Sequence, residues 1–311
     1  MQFRSISPSE VERFAAADPH LSDAAGFVRF IREMWERGSS QPNRCFVVEN
    51  GTEIIGRVMY RGVGAEAVCT TLYLPWQADY LAVGNVLFQE SLRQLQSDGV
   101  GYLEVFVKSA WSYAAQLNDL IHHFNLPLTQ TKLRYIWKGD LAGFEQPTRL
   151  LYRTLNDVGE DVFIDLIRRT SVATLDSIDR QEINTFGAEQ HARNYFNLLK
   201  AEFECSPTWW LAAYTPDHQV VGHVIGVPFD LGRQEGCIGY IGVVPEQRGH
   251  RYIDDLLRRG MSVMFSEGIT AVIADTDLQN IPMQQAFERC GYLRGDTSWI
   301  YRGEIEAILR S

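Results

Sequence analysis

One short phrase is written twice in this chain of 311 residues: Ser97-Asp-Gly-Val100 and Ser266-Glu-Gly-Ile269, 169 positions apart. Each copy closes a stretch with helical periodicity and opens an apolar strand. In the later copy Ile253, Leu256, Leu257, Met261 and Met264 fall on one helix face. Leu87, Phe88, Leu92 and Leu95 hold the matching places in the earlier copy. The strands that follow are Tyr102-Leu-Glu-Val-Phe-Val107 and Ala271-Val-Ile-Ala274. The opening strand Phe3-Arg-Ser-Ile6 pairs with Tyr152-Arg-Thr-Leu155, and the hairpin 46–56 with 210–222. The closing strands are Arg134-Tyr-Ile-Trp-Lys-Gly139 and Trp299-Ile-Tyr-Arg-Gly303. Matches in one common order imply a duplicated domain. We expect domains at 1–144 and 145–311, joined near residues 143–148, each copy ending on its own last strand.

Within a copy the elements run strand, two helices, antiparallel strands, a strand–helix–strand crossover, a helix and a final strand. That order predicts a mixed α/β fold with a largely antiparallel sheet. The parallel part must be the crossover, residues 238–276 in the second copy, because parallel neighbours need a long connection.

The chain carries 29 basic and 39 acidic side chains, a net charge of −10, which argues against a nucleic-acid face and weakly favours a cationic or neutral substrate. No run of eighteen apolar residues is present, so no membrane helix is expected. The beginning, Met1-Gln-Phe-Arg-Ser-Ile6, has neither the basic start nor the apolar stretch of a secretion signal, and a cytoplasmic protein is expected. Five scattered cysteines without C-x-x-C spacing read as reduced thiols rather than metal ligands, and no metal is expected.

The segment richest in chemistry is Tyr240-Ile-Gly-Val-Val-Pro-Glu-Gln-Arg-Gly-His-Arg-Tyr-Ile-Asp-Asp-Leu-Leu257. A strand ends, Pro245 stops it, and a basic turn containing Gly249 leads into the amphipathic helix. Helix-start N–H groups lack intrahelical partners and sit at positive potential, so such a turn suits a diphosphate. A plain strand-to-helix connection with solvated basic side chains is the alternative. Asp254 and Asp255 suit the start of a helix electrostatically and are expected to face solvent.

Val243-Val-Pro-Glu-Gln-Arg-Gly-His250 resembles the V-x-P-x-x-R-G-x-G/A signature of the GNAT superfamily of acyl-CoA-dependent N-acyltransferases. Asn280-Ile-Pro-Met-Gln-Gln-Ala-Phe-Glu-Arg-Cys-Gly-Tyr292 resembles that family's second signature. The first copy resembles the same fold without the signature, its turn reading Pro75-Trp-Gln-Ala-Asp-Tyr80. The resemblance implies that acetyl-CoA or another acyl-CoA lies between two splayed strands. Ile241, Gly242 and Val243 would flank the pantetheine arm. Arg248, Gly249, His250, Arg251, Tyr252 and Ile253 would hold the diphosphate, and Asn280 and Phe287 would border the arm. It further implies transfer of an acetyl or short acyl group to an amine of a small molecule or peptide. The family usually has a small residue where Arg251 stands; a left-handed backbone there costs a non-glycine residue roughly 1–2 kcal/mol. Many relatives carry a thiolate-protonating tyrosine where Phe287 stands, and Tyr252, Tyr292 and Tyr301 are the possible substitutes.

An ammonium acceptor must lose a proton before it attacks, which calls for a base. The candidates are Glu204, Asp275, Asp277 and His223, with Tyr240 lining the acceptor pocket. For site chemistry we single out Glu204, Asp275 and Tyr240 as catalytic, and Asp176 and Asp277 as acceptor contacts. Asp176 and Asp179 lie on a loop that bounds the acceptor site in this fold, where solvation is the simpler account. Capping of the next helix and turn is the simpler account of Asp275 and Asp277. A non-catalytic acyl-CoA sensor or interaction module, monomeric or homodimeric, is the competing reading.

Overall fold

The computed structural model describes residues 1–62, 64–139, 149–202, 206–230 and 234–310; the expected join at 143–148 lies outside them. The first copy runs β1 (Gln2–Ser5), α1 (Val11–Ala16), α2 (Ala24–Glu36), β2 (Cys45–Asn50), β3 (Glu53–Arg61) and β4 (Glu66–Tyr73). It continues with α3 (Tyr80–Ser97), β5 (Tyr102–Lys108), α4 (Ala114–His123) and β6 (Leu128–Lys138). The second repeats the plan with extra helices: β7 (Leu151–Thr154), α5 (Leu155–Val158), α6 (Glu160–Thr170), α7 (Ser177–Phe186), α8 (Ala188–Glu202), β8 (Trp210–Tyr214) and β9 (Val220–Asp230). Then come β10 (Glu235–Val243), α9 (Tyr252–Ser266), β11 (Ala271–Asp277), α10 (Ile281–Arg289), β12 (Leu293–Glu304) and α11 (Ile305–Arg310). Gly99 and Gly268, from the repeated phrase, take φ of +85° and +94° just beyond α3 and α9. Both turn the chain out of a helix where a side chain would be strained.

The two compact units differ from the linear halves. One is Met1–Thr129 with Ser298–Ser311; the other is Gln130–Thr297. The reason is strand exchange. Residues 298–304 of β12 pair antiparallel with β5 in the first unit, Ser298 opposite Lys108 and Glu304 opposite Tyr102. Residues 132–138 of β6 pair antiparallel with β11 in the second, Lys138 opposite Ala271 and Lys132 opposite Asp277. Each copy's last strand therefore completes the other copy's sheet, in place of the self-closing arrangement expected.

In the first unit β1 to β4 form an antiparallel meander, β4 pairs parallel with β5, and β12 closes the sheet. One face packs on α3, α4 and α11 through Leu87, Phe88, Leu92, Leu120 and Ile305. The other packs on α1 and α2 through Val11, Phe14 and Ile31. Trp76, in the turn after β4, stacks on Tyr113 before α4, ring centroids 4.5 Å apart and 5° from parallel.

In the second unit the order is β6-β11-β10-β9-β8-β7, antiparallel except for the parallel β10/β11 pair. Leu256, Leu257, Met261 and Met264 of α9 are fully buried on the sheet; each such side chain contributes roughly 1.5–3 kcal/mol. Gly260 allows the helix to come close, since a Cβ there would lie 2.8 Å from Val224. On the opposite face α6 and α8 bring Phe163, Ile167 and Phe196 against Trp210 and its neighbours.

Candidate active site

The parallel pairing of β10 with β11 covers only Glu235–Ala271, Gly236–Val272 and Cys237–Ile273. Beyond Cys237 the strands part: β10 stays on β9 to Val243, and β11 stays on β6 to Asp277. An irregularity between Ile238 and Tyr240 bends β10 as it leaves its neighbour. Strand alternation then decides which main-chain groups enter the gap. Val244 N–H donates to Val221 O at 2.9 Å, and the Gly242 carbonyl is directed at Gly222. Residues 242 and 244 thus face β9, and the peptide groups of Ile241 and Val243 face the gap. Gly242 also sets how closely α6 packs. A Cβ there would lie 2.5 Å from Thr170 Cβ, so its bareness admits that helix.

The gap is part of a cavity of about 940 Å³ in the second unit, running from the turn at Arg248 and Gly249 to Asp176 and Asp179. After Pro245 the backbone at Gly249 and Arg251 is left-handed, φ +87° and +59°. Among the described residues, the main-chain N–H groups of 249–253 find no acceptor. A Cβ on Gly249 would meet nothing within 4 Å. Such a run of free N–H groups at the start of α9 is an anion nest.

Side chains hold this turn rather than extend into it. The Arg248 guanidinium donates to Val243 O (3.2 Å), Thr170 O (3.0 Å) and Val172 O (2.9 Å), tying the turn to the end of α6. His250 stacks on Tyr252 at 5.4 Å, and Arg149 donates to His250 O. Contrary to expectation, Asp254 is buried and clamped by Arg289, and Asp255 is paired with Arg149. Across the gap Asn280 caps α10, accepting from Met283 N–H at 3.3 Å, and both Asn280 and Phe287 line the cavity. Phe287 is held between Tyr135 (5.0 Å) and Tyr292 (5.1 Å).

At the far end Tyr240 Oη donates to Asp179 Oδ2 at 2.9 Å and lies 2.9 Å from Ser171 Oγ. Asp179 is 8% exposed, lines the cavity, and stands 3.7 Å by Oδ1 from His191 Nε2. Burial, reinforced by the charge of Asp176, pushes the Asp179 carboxyl up to about 6. His191 is fully buried and bound through Nδ1 to Glu182 Oε2 at 2.9 Å. Burial alone would lower its pKa; the hydrogen bond to Glu182 and the charge of Asp179 outweigh burial and raise it.

A model of the acetyltransferase (GNAT) family matches residues 174–292. The chain carries a GNAT domain. A GCN5-related N-acetyltransferase from Sphaerobacter thermophilus superposes at 16% identity and a TM-score of 0.67, covering 98% of this chain and 95% of that one. A tandem GNAT protein from the clavulanic acid biosynthesis pathway, solved without AcCoA, gives 12% identity, TM-score 0.62 and 98% coverage of both chains. A glucosamine N-acetyltransferase region of a fungal multi-domain β-N-acetylglucosaminidase matches at 11% identity and TM-score 0.66, over 97% of this chain and 38% of that one. These likenesses establish a tandem GNAT fold. No functionally curated protein matches the sequence.

Within the GNAT domain, Ile241, Gly242, Val243, Arg248, Gly249, Arg251, Tyr252, Ile253, Asn280 and Phe287 all border the cavity, as do Asp176, Tyr240 and Asp275. His250 is not among the lining residues. Other residues are engaged elsewhere. Asp275 is held bidentately by Arg134, at 2.8 and 2.9 Å. Asp277 is buried and accepts from Ser177 N–H and Oγ, Gln130 and Gln279 N–H, so it fixes loops and does not line the cavity. Asp176 caps α7 through Ile178 and Asp179 N–H. Glu204 lies outside the described residues.

His223 is fully buried beneath Tyr240 (5.5 Å, 14°) and kept neutral by desolvation, its pKa pulled down to about 3; it has no access to an acceptor. Of the three tyrosines, Tyr252 borders the cavity, Tyr292 is buried behind Phe287, and Tyr301 belongs to the first unit, where it donates to Asn118. Asp179, expected to be a solvated loop residue, is instead buried in the wall. Its helical spacing to Glu182 was the available signal. Among the described residues no group of His, Cys, Asp and Glu could hold a metal, and no helix is long and apolar enough to cross a membrane.

Proposed function

We propose that the GNAT domain transfers an acetyl or other short acyl group from acyl-CoA to an amine of a small molecule or peptide. The observation that carries this reading is the parting of β10 and β11 after Cys237, with the peptide groups of Ile241 and Val243 turned into the gap. Exposed strand edges ordinarily invite another chain; an amide-bearing arm can occupy this one. The free N–H groups of 249–253 suit a diphosphate, and Asn280 and Phe287 border the route between. When bound, an acyl thioester supplies the activated carbonyl. A strand N–H within the gap would stabilise charge on that carbonyl oxygen, and the cavity would hold both reactants together.

The acceptor end is acidic. Asp176 and Asp179 line it beside the aromatic rings of Tyr195 and Tyr240, which suits a cationic amine. The first unit lacks the Arg-Gly turn and stacks Trp76 on Tyr113 in its place, so the chemistry is assigned to the second. Phe287 offers no hydroxyl to the leaving thiolate; a thiol of pKa about 8.5 departs without one.

Calorimetry with acetyl-CoA and thiol release with a panel of amines, glucosamine included, test this reading. Binding with turnover supports it. Binding without turnover for any amine favours a sensor, and no binding defeats both.

A further inference from the structure

Asp179 stands between two partners with different demands. Its Oδ2 accepts from Tyr240 at 2.9 Å, and its Oδ1 faces His191 Nε2 at 3.7 Å, beyond hydrogen-bond length but within ion-pair range. His191 Nδ1 lies 2.9 Å from Glu182 Oε2, and an ionised carboxylate can only accept, so the ring proton sits on Nδ1. Nε2 is then a bare lone pair, buried, without a hydrogen-bond partner and directed at a second carboxylate. Two lone pairs confront each other across a space that one added proton would reconcile. Glu182 is 32% exposed, so the chain of groups leads from the cavity wall to solvent.

We propose that Asp179 is the base that deprotonates the acceptor ammonium, and that His191 and Glu182 carry the proton from it to solvent. The proposal rests on the acyl-transfer reading above. In the step an N–H bond of R–NH3⁺ breaks and an O–H bond forms on Asp179, leaving R–NH2 with a free pair. The proton moves to His191 Nε2 while the Nδ1 proton passes to Glu182 and out. The neutral amine then attacks the thioester carbonyl; the C–N bond forms, the C–S bond breaks, and the thiolate takes the second amine proton. Asp179 is the catalytic residue, and His191 and Glu182 act through it.

The groups facing this chain are consistent with such a role. Asp176 lies behind Asp179 on the preceding loop and helps keep its proton affinity high; Lys132 of β6 and the Tyr240 hydroxyl oppose that effect. Tyr195 of α8 packs against the imidazole at 6.0 Å. Desolvation pushes the Asp179 carboxyl up to about 6, and the hydrogen bond to Glu182 with the charge of Asp179 raises the imidazole of His191, so both groups of the relay gain proton affinity.

The test uses the full chain and two kinds of nucleophile: hydroxylamine, already neutral near pH 7, and primary amines that are ammonium ions there (spermidine, lysine and glucosamine). Thiol release from acetyl-CoA is read for wild type, Asp179→Asn, Glu182→Gln and Glu182→Asp, with thermal melts as the folding control. In D179N the rate ratio of ammonium to hydroxylamine acceptor should fall by roughly a hundredfold or more, and recover as pH rises toward the amine's own pKa. In E182Q kcat for the ammonium acceptor should drop by roughly tenfold with KM nearly constant and an altered acidic limb, and E182D should restore part of it. A ratio unchanged in D179N overturns the proposal, as does a wild type that accepts hydroxylamine but no ammonium nucleophile. An unaltered E182Q profile overturns the exit route. Absence of thiol release with either nucleophile, together with no acetyl-CoA binding, is a distinct result that removes the acyl-transfer reading itself.

Discussion

Arg289 grips Asp254 at two points, Nε to Oδ2 at 2.9 Å and Nη2 to Oδ1 at 2.7 Å, joining the first turn of α9 to the last turn of α10. Both helices border the mouth of the cavity, so this pair sets the distance between its walls. Arg289→Ala would leave the buried Asp254 carboxylate without its cation. A loss of about 1–3 kcal/mol is expected, because a stranded buried charge costs more than the pair contributes. Denaturant unfolding measures the loss, and calorimetry should show weaker acetyl-CoA binding alongside it.

Arg251 occupies φ +59°, ψ +23° at the position where a small residue was anticipated. Replacing it with glycine removes the left-handed strain and should raise stability by about 1 kcal/mol. If the free N–H groups of the turn form the anion site, binding of acetyl-CoA should survive in R251G, because main-chain donors need no guanidinium. A thermal melt and a titration on one sample decide both points.

His223 makes the second unit sensitive to acid. The unfolded imidazole takes up a proton as pH falls through about 6.5, whereas the folded one resists until about 3. The unfolded state therefore binds more protons in that window, and stability is lost as pH falls. Between about pH 7 and pH 5 this residue should cost roughly 2 kcal/mol. His223→Phe, between Phe163 and Tyr240, should remove that share of the loss when melts are compared across the range.

Tyr240 donates to Asp179 and so favours its ionised form. Tyr240→Phe should raise the Asp179 pKa above about 6 and move the acidic limb of activity to higher pH. The variant should lose roughly threefold or more of its rate on the acidic side and much less above neutrality. A rate–pH profile for any accepted amine checks the direction.

Strand exchange makes a prediction about fragments. A piece spanning 130–297 holds every strand of the second unit's sheet, while 145–311 lacks β6 and carries the β12 residues that belong to the first. The former should unfold cooperatively as a monomer. The latter exposes the edge of β11 and should aggregate or self-associate. Sedimentation and circular dichroism of both fragments compare them directly.

Duplication, the mixed sheet and the crossover were legible because helix faces and the Gly-ended phrases repeat in order. The exchange was not. Arg134-Tyr-Ile-Trp-Lys-Gly139 and Trp299-Ile-Tyr-Arg-Gly303 carry near-equivalent alternation, so pattern alone suits either strand to either sheet. The turn at 248–253 was legible down to the strained residue, since the spacing fixes which backbone must bend. Its arginine was not: Arg248 spends its donors on three carbonyls, two of them on the segment ending α6, a segment distant in sequence. Asp179 read as a solvated loop acid beside the acceptor site because what buries it comes from elsewhere in the chain, including Tyr240, 61 positions onward. Asp277 read as a pocket acid for the converse reason, its four donors being invisible until the loops meet.

The placement of residues 298–304 beside β5 also bears on synthesis. A ribosome makes residues 1–129 before residues 298–304, so the first unit's sheet stays one strand short until the second copy has been synthesised. The nascent chain must hold an open β5 edge while the whole second copy is made, a period in which a chaperone has something definite to cover.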